Sequence, residues 1–409
     1  MSLCQIALDK TRLPLVAALA AATVVLGCGG GSDAPSGGTG TVRVSLTDAP
    51  ACGYDEVNVT VSKVRIHRSE GATQDDGSWS EIDVAPSRRI DLLALQNGVV
   101  ESLGDVRLEA GRYSQIRLVL EPNGAGAPAN SIVLTGDPGK AEIPLRTPSA
   151  QQSGLKLVHG FEVAAGETMD LVLDFDACRS VVKAGNSGNY NLKPVISVIP
   201  IAAAGKLAID GSIADGADAV VTAQGNDAHG YPVVLRATTA GPGGEFTLSP
   251  LPAAESGVYT LVVAKPGRAT TVVKGVPATA GAITTLPTID LGPVADTTTV
   301  EGVVSVPSSV AEGVARVRAI REVAGLRLEV ASSSAVTEGP YSMGLPVAPV
   351  RAADYAAGTL AFEDASSVGE PAVYELEAVL QDSGLPPQRA TVALDGSAVV
   401  TRDFDFPLP

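Results

Sequence analysis

Four aspartates are the residues of this chain best placed to do chemistry together. Asp174 and Asp176, in "LVLDFDA", share one face of a strand pattern, roughly 7 Å apart by strand rise. Asp48 and Asp55 lie in "TDAPACGYDE", on either side of Cys52. A Cys52–Cys178 bond would carry that loop to the end of the aspartate-bearing strand, and four converging carboxylates suit a hard cation such as Ca²⁺. The competing reading is structural: aspartates in turns accept backbone N–H bonds and face water. No D-x-D-x-D-G loop favours the metal, and nothing else in the sequence asks for a cofactor.

Nucleophilic catalysis needs a base beside an exposed serine or cysteine. The chain has 3 histidines, His67, His159 and His229, and neither a G-x-S-x-G elbow nor an H-E-x-x-H pair. His67, between Arg65 and Arg68 at a strand end, reads as a solvated surface residue. His159 and His229 each precede a glycine and read as turn residues. "GDPGK" (136–140) lacks the glycine spacing and the Ser/Thr of a phosphate loop and reads as a turn. Trp79, the 1 tryptophan, sits in the polar stretch "DDGSWSE". It is the candidate ligand-binding platform, for instance for a sugar; otherwise it covers a sheet edge or the core.

These residues need strands to position them. In "TVRVSL", Val42, Val44 and Leu46 take one face; in "YSQIRLVL", Ile116, Leu118 and Leu120 do. "EVNVTVSKVRIH" changes phase from Val57, Val59 and Val61 to Val64 and Ile66, as a β-bulge does. "TMDLVLDFDACRS" puts Met169, Leu171, Leu173 and Phe175 on one face and the aspartates with Cys178 on the other. "NLKPVISVIPI" is apolar at nearly every position, like a strand covered on both sides. With 44 glycines, 28 prolines and few helix-favouring runs, the chain is predicted to be all-β, in three antiparallel sandwich-like domains.

The N-terminus sets the compartment. Lys10 and Arg12 precede an uncharged apolar run, Leu13 to Gly27, too short for the roughly 20 residues that span a bilayer. A basic start, a short apolar stretch and small residues at its end describe a secretory signal peptide. Val25-Leu26-Gly27-Cys28 resembles the lipobox of bacterial lipoproteins, which implies lipidation of Cys28 and a membrane partner through that lipid. The alternative is an ordinary signal peptide cut nearby. Residues 28–40 form a glycine- and serine-rich tether, which behaves as a flexible coil. Gly29 after the cysteine resembles the outer-membrane sorting signal of such lipoproteins. In an exported chain the two cysteines left in the body, Cys52 and Cys178, read as a disulfide, with two buried free thiols as the alternative. A formal charge of −16 with no basic run repels phosphate backbones, so nucleic acid is not an expected partner.

Three units follow the tether. In residues 41–201 the stretches "GTVRVSLTDAPACGYDEVNVTVSKVRIHRS", "GRYSQIRLVL", "SGLKL" and "LDFDACRSVVKAGNSGNYNLKPVISV" resemble a bacterial lipoprotein domain known as domain of unknown function 4382. The resemblance implies a β-rich exported module and no established activity. Residues 203–293, with "GKLAIDGSI", "EFTLSPLP" and "YTLVVAKPG", resemble the carboxypeptidase regulatory-like (transthyretin-like) sandwich. Such modules are common in cell-surface proteins, and their superfamilies include carbohydrate-binding members. Residues 296–409 read as a divergent second copy. There "VEGVVSV" stands for "IDGSIA", and "GPYSMGLP" for "GEFTLSPLP". In "RAADYAAGTLAFEDA" a short helix is expected, weakened by Gly358. The reading is a lipid-anchored, non-catalytic binding or structural module of the envelope, with a glycan or envelope protein as partner. The alternative is an enzyme with a scattered, Ca-assisted site in residues 41–201.

Overall fold

The computed structural model describes residues 38–407 apart from 49–52, 148–152, 185–187, 194, 202–206, 253, 255, 307–313, 337–338, 366–370 and 381–382. No described helix is long and apolar enough to cross a membrane. The protein is all-β, in three two-sheet units.

The first unit holds β1 (Thr39–Asp48), β2 (Tyr54–His67), β3 (Ser80–Asp91), β4 (Glu101–Glu109), β5 (Gly111–Leu120) and β6 (Ser131–Leu134). It continues with β7 (Ile143–Arg146), β8 (Leu155–Val163), β9 (Thr168–Phe175), β10 (Val181–Lys183), β11 (Tyr190–Leu192) and β12 (Ile196–Ile201). One sheet has the order β12-β9-β1-β4; the other runs β10-β11-β7-β6-β2-β5-β8, with β3 beside β2. The alternating residues meet between the sheets: Val42, Val44 and Leu46 with Leu171, Leu173 and Phe175, against Val57, Ile66, Ile116 and Leu118, all at 0% exposure. Each such side chain contributes about 1.5–3 kcal/mol through burial. The phase change in β2 is a bulge at Ser62, where the register against both β3 and β5 shifts between Val61 and Lys63. The extra residue lets Val61 and Val64 both face the core.

Three local expectations are corrected here. Not every pair is antiparallel: β1 and β9 are parallel, because the chain reaches β9 from the opposite sheet. β9 ends at Phe175 and does not continue to Cys178; Asp176 caps a single helical turn, α1 (Ala177–Ser180), by accepting from the Arg179 N–H at 3.0 Å. His159 is not in a turn but within β8, whereas His229 does lie in one.

The second unit comprises β13 (Leu207–Ala214), β14 (Val220–Asn226), β15 (Pro232–Thr239), β16 (Glu245–Leu251), β17 (Val258–Ala264), β18 (Thr271–Pro277), β19 (Ile283–Thr285) and β20 (Ile289–Asp290). The third comprises β21 (Thr297–Ser305), β22 (Val314–Val323), β23 (Leu326–Val336), β24 (Gly339–Pro346) and β25 (Arg351–Asp354). It ends with β26 (Glu363–Asp364), β27 (Ala372–Leu380), β28 (Gln388–Leu394), β29 (Val399–Thr401) and β30 (Phe404–Asp405).

With β25 and β26 set aside, the two strand orders are the same. β13 lies between β16 and the short β19 and β20, as β21 lies between β24 and the short β29 and β30. The facing sheets run β15-β14-β17-β18 and β23-β22-β27-β28. The correspondence reaches single residues: Gly211 stands opposite Phe246, and Gly302 opposite Tyr341. A Cβ at Gly211 would lie 2.6 Å from the Phe246 ring, so the missing side chain is what lets the aromatic lie across the strand.

β25 and β26 are strands where a short helix was expected. β25 runs parallel to β18 and extends the second unit's sheet to six strands, its edge N–H groups finding acceptors in Thr270 and Lys274. Ala353 and Leu360 of this segment enter the second unit's core, while Val262 and Val272 of the second unit enter the third's. The two sandwiches are interlocked, not strung on a linker.

Candidate functional site

Where the three units meet, the outer face of β9 is covered and the polar residues on it are buried. Arg236 of β15 is 1% exposed, and its guanidinium pairs with the Asp174 carboxylate. The same guanidinium donates to Thr47 Oγ1 at 2.8 Å and to the Asp48 carbonyl at 3.3 Å. Asp48, at 0% exposure, accepts the Ala177 N–H on Oδ1 at 2.9 Å, while its Oδ2 is buried without a hydrogen-bond partner. Burial pushes the Asp48 carboxyl well above the usual carboxylate range, and the neighbouring Asp176 and Asp174 add to the shift. Burial likewise raises Asp176, against the pull of Arg179, whose guanidinium it accepts at 3.1 Å. A second clasp lies close by: Asn97 donates to the Thr239 carbonyl at 3.0 Å and accepts from the Thr247 N–H at 3.2 Å.

The third unit completes the junction with charges of its own. Glu329 of β23 pairs with Arg316 of β22, and its backbone exchanges hydrogen bonds with the buried Gln224 amide of β14 at 2.6 and 3.0 Å. Arg318 donates to Glu377 at 2.7 Å and to the Pro232 carbonyl at 2.6 Å. Tyr231 packs against Arg327 and Arg389, 4.6 and 4.1 Å from its ring centre.

Between these contacts lies a cavity of about 550 Å³ lined by all three units. Val181, Val220, Val234, Val262 and Val330 give it an apolar lining. Its charged residues are Asp176 and Glu329, both already paired, and Arg179, Lys183, Lys265 and Arg268.

The expected site residues are placed as follows. Asp48, Asp174 and Asp176 do gather, whereas Asp55 lies exposed on β2, in the other sheet. Asp174 and Asp176 are answered by arginines and Asp48 Oδ1 by a backbone N–H. Among the described residues no group of three or more His, Cys, Asp or Glu side chains is arranged to hold a metal ion. Trp79 donates to the Thr73 carbonyl at 2.9 Å, and Arg65 and Arg117 lie over its ring at 4.6 and 4.9 Å. The ring is packed by the protein's own groups. His67, expected in solvent, is 6% exposed, its ring tilted 50° to that of Trp79 with centres 4.9 Å apart and Nδ1 accepting the Ser69 N–H at 2.9 Å. Cys28, Cys52 and the Cys178 side chain lie outside the described residues, and with them the lipid site and the disulfide.

Arg236, Arg316, Arg318 and Glu329 did not stand out in the sequence. The available signal was a charge inside an apolar strand, "VVLRATT", and arginines alternating with core residues in "ARVRAI". Both patterns look the same on a strand face open to water.

Among solved structures, the Bacillus anthracis TIE protein is similar at 11% identity, over 90% of this chain and 51% of that one, with a TM-score of 0.18. This chain therefore spans about half of that one's length. A Streptococcal ancillary pilin is 12% identical over 90% of this chain and 99% of its own, TM-score 0.18. A minor pilin of Streptococcus agalactiae is 12% identical over 50% and 98%, TM-score 0.17. Scores this low carry no inference about fold or role. No curated protein matches the chain. Residues 39–194, which carry β1 to β11 and the aspartates of the junction, match the family described as Domain of unknown function (DUF4382).

Proposed function

We propose that this protein is a lipid-anchored, non-catalytic binding module of the bacterial cell envelope, held in the outer membrane through Cys28. The observation that carries the reading of the body is the Arg236–Asp174 clasp. Asp174 is engaged across a unit boundary, where it holds strands together, and Asp176 is paired with Arg179 beside it. The leader residues from Lys10 to Cys28 support the anchor and the compartment. The strand order shared by the second and third units supports two copies of a transthyretin-like sandwich, and a glycan or an envelope protein is the partner expected of such a module.

The test is metabolic labelling with an alkynyl fatty acid in a bacterial host. Wild-type protein should incorporate the label and fractionate with outer membranes, and Cys28→Ser should be unlabelled and leave that fraction. Unlabelled wild-type protein, or a labelled Cys28→Ser, overturns the anchor.

A further inference from the structure

We infer that the cavity at the three-unit junction binds a small organic anion with an apolar body. The inference rests on reading the body as a binding module, but not on its anchor. Three observations converge. Lys183, Lys265 and Arg268 line the cavity, and none of them forms an ion pair among the described residues. Among the described residues the Lys265 side chain donates to the Asp215 carbonyl, at 2.6 Å, and the Arg268 side chain to the Gly292 carbonyl, at 3.5 Å. The carboxylates that share the lining, Asp176 and Glu329, are already matched by Arg179 and Arg316. Four cations against two carboxylates give the lining a surplus of two positive charges in a chain whose formal charge is −16. A concave, low-dielectric wall concentrates such a field and draws an anion to it.

Size and lining then choose among anions. A volume of about 550 Å³ is far more than an inorganic ion fills and falls within the roughly 300–1,000 Å³ of small-molecule sites. The valines of the lining would be covered by an apolar ligand body, while hydroxyls such as those of Thr222 and Ser332 line it too. Two donors remain unused: Arg179 Nε and Ser334 Oγ belong to lining residues and are buried without a hydrogen-bond partner. A carboxylate head group accepts from such donors, and charge-assisted hydrogen bonds are the strong ones.

The test uses the full-length chain in a neutral detergent and three probes followed by titration calorimetry. These are 1-naphthoate, the neutral 1-naphthylmethanol and inorganic phosphate. Naphthoate should bind one to one, at least about tenfold tighter than naphthylmethanol, and more weakly as salt rises; phosphate should not bind. Lys183→Glu combined with Arg268→Glu should weaken naphthoate at least about tenfold, a loss of about 1.4 kcal/mol. Ser332→Trp, which fills the cavity without touching charge, should abolish binding, with circular dichroism showing both variants folded. Equal affinity for naphthylmethanol or for phosphate overturns the inference. So does naphthoate binding that survives both variants, or no binding at millimolar concentration. None of these outcomes bears on fatty-acid labelling at Cys28, so the two readings fail separately.

Discussion

Arg236→Met removes the cation from the most buried ion pair among the described residues and keeps much of its apolar stem. The side chains of Arg236 and Asp174 are 1% and 8% exposed, so the carboxylate left behind has neither water nor a counter-charge, and Thr47 and the Asp48 carbonyl each lose a donor. Truncating one partner of such a pair costs about 3–5 kcal/mol. At a slope of roughly 3 kcal/mol per M, the urea midpoint should fall by about 1–1.7 M. Trp79, the 1 tryptophan, reports the first unit by fluorescence, while circular dichroism follows all three. In the double variant Arg236→Met/Asp174→Leu no charge is stranded, and apolar replacement of a buried pair is often neutral or stabilising by about 1–4 kcal/mol. The double variant should therefore recover most of the loss, the two substitutions being coupled through contact. The reasoning is refuted if Arg236→Met costs less than about 1 kcal/mol, or if the double variant is as unstable as the two single changes added together.

Asp48 and Asp176 have carboxyls raised by burial, so their contribution is complete below the unfolded value of about 3.9 and is lost as pH rises through the folded values. The thermal midpoint should fall as pH rises above the unfolded carboxyl value of about 3.9, and Asp48→Asn, which keeps an acceptor for the Ala177 N–H, should flatten that slope in a melting series. Gly302→Ala should destabilise by about 3 kcal/mol and Gly211→Ala by about 1–2 in denaturant titrations. The added Cβ would stand 2.0 Å from the Arg402 carbonyl oxygen in the first case and against the movable Phe246 ring in the second. A reversed order would mean that the backbone of the final strands yields more easily than the ring. Trp79→Ala should cost roughly 2–3 kcal/mol in thermal unfolding, from two cation–π contacts and one hydrogen bond. A change below about 0.5 kcal/mol would mark the tryptophan as a bare surface residue.

Much of the fold was legible because a strand's period of two is a local property. Val42, Val44 and Leu46 declare a buried face before any partner is known, and the slip from Val61 to Val64 declares the bulge at Ser62. The paired Gly211–Phe246 and Gly302–Tyr341 were visible as a near-repeat, the glycine recurring after 91 residues and the aromatic after 95. The segment around β25 was misread because its partner, β18, belongs to the previous unit: the local composition is that of a weak helix, and only an unpaired sheet edge made it a strand.

What only the tertiary structure decided is which polar faces lie open. Asp174 and Asp176 alternate with core residues, and by sequence their face could meet water, a cation or protein. Packing β15 against β9 put Arg236 there, and desolvation then set the roles: a carboxylate removed from water must find a counter-charge, as Asp174 does, or favour its neutral form, as Asp48 does. The cavity has the same origin. Its cations come from segments near 180 and 266, and its apolar lining from all three units, so no stretch of the sequence contains it. Local periodicity determines which strands form and which face each buries. The chemistry of the junction is a property of where those strands come together.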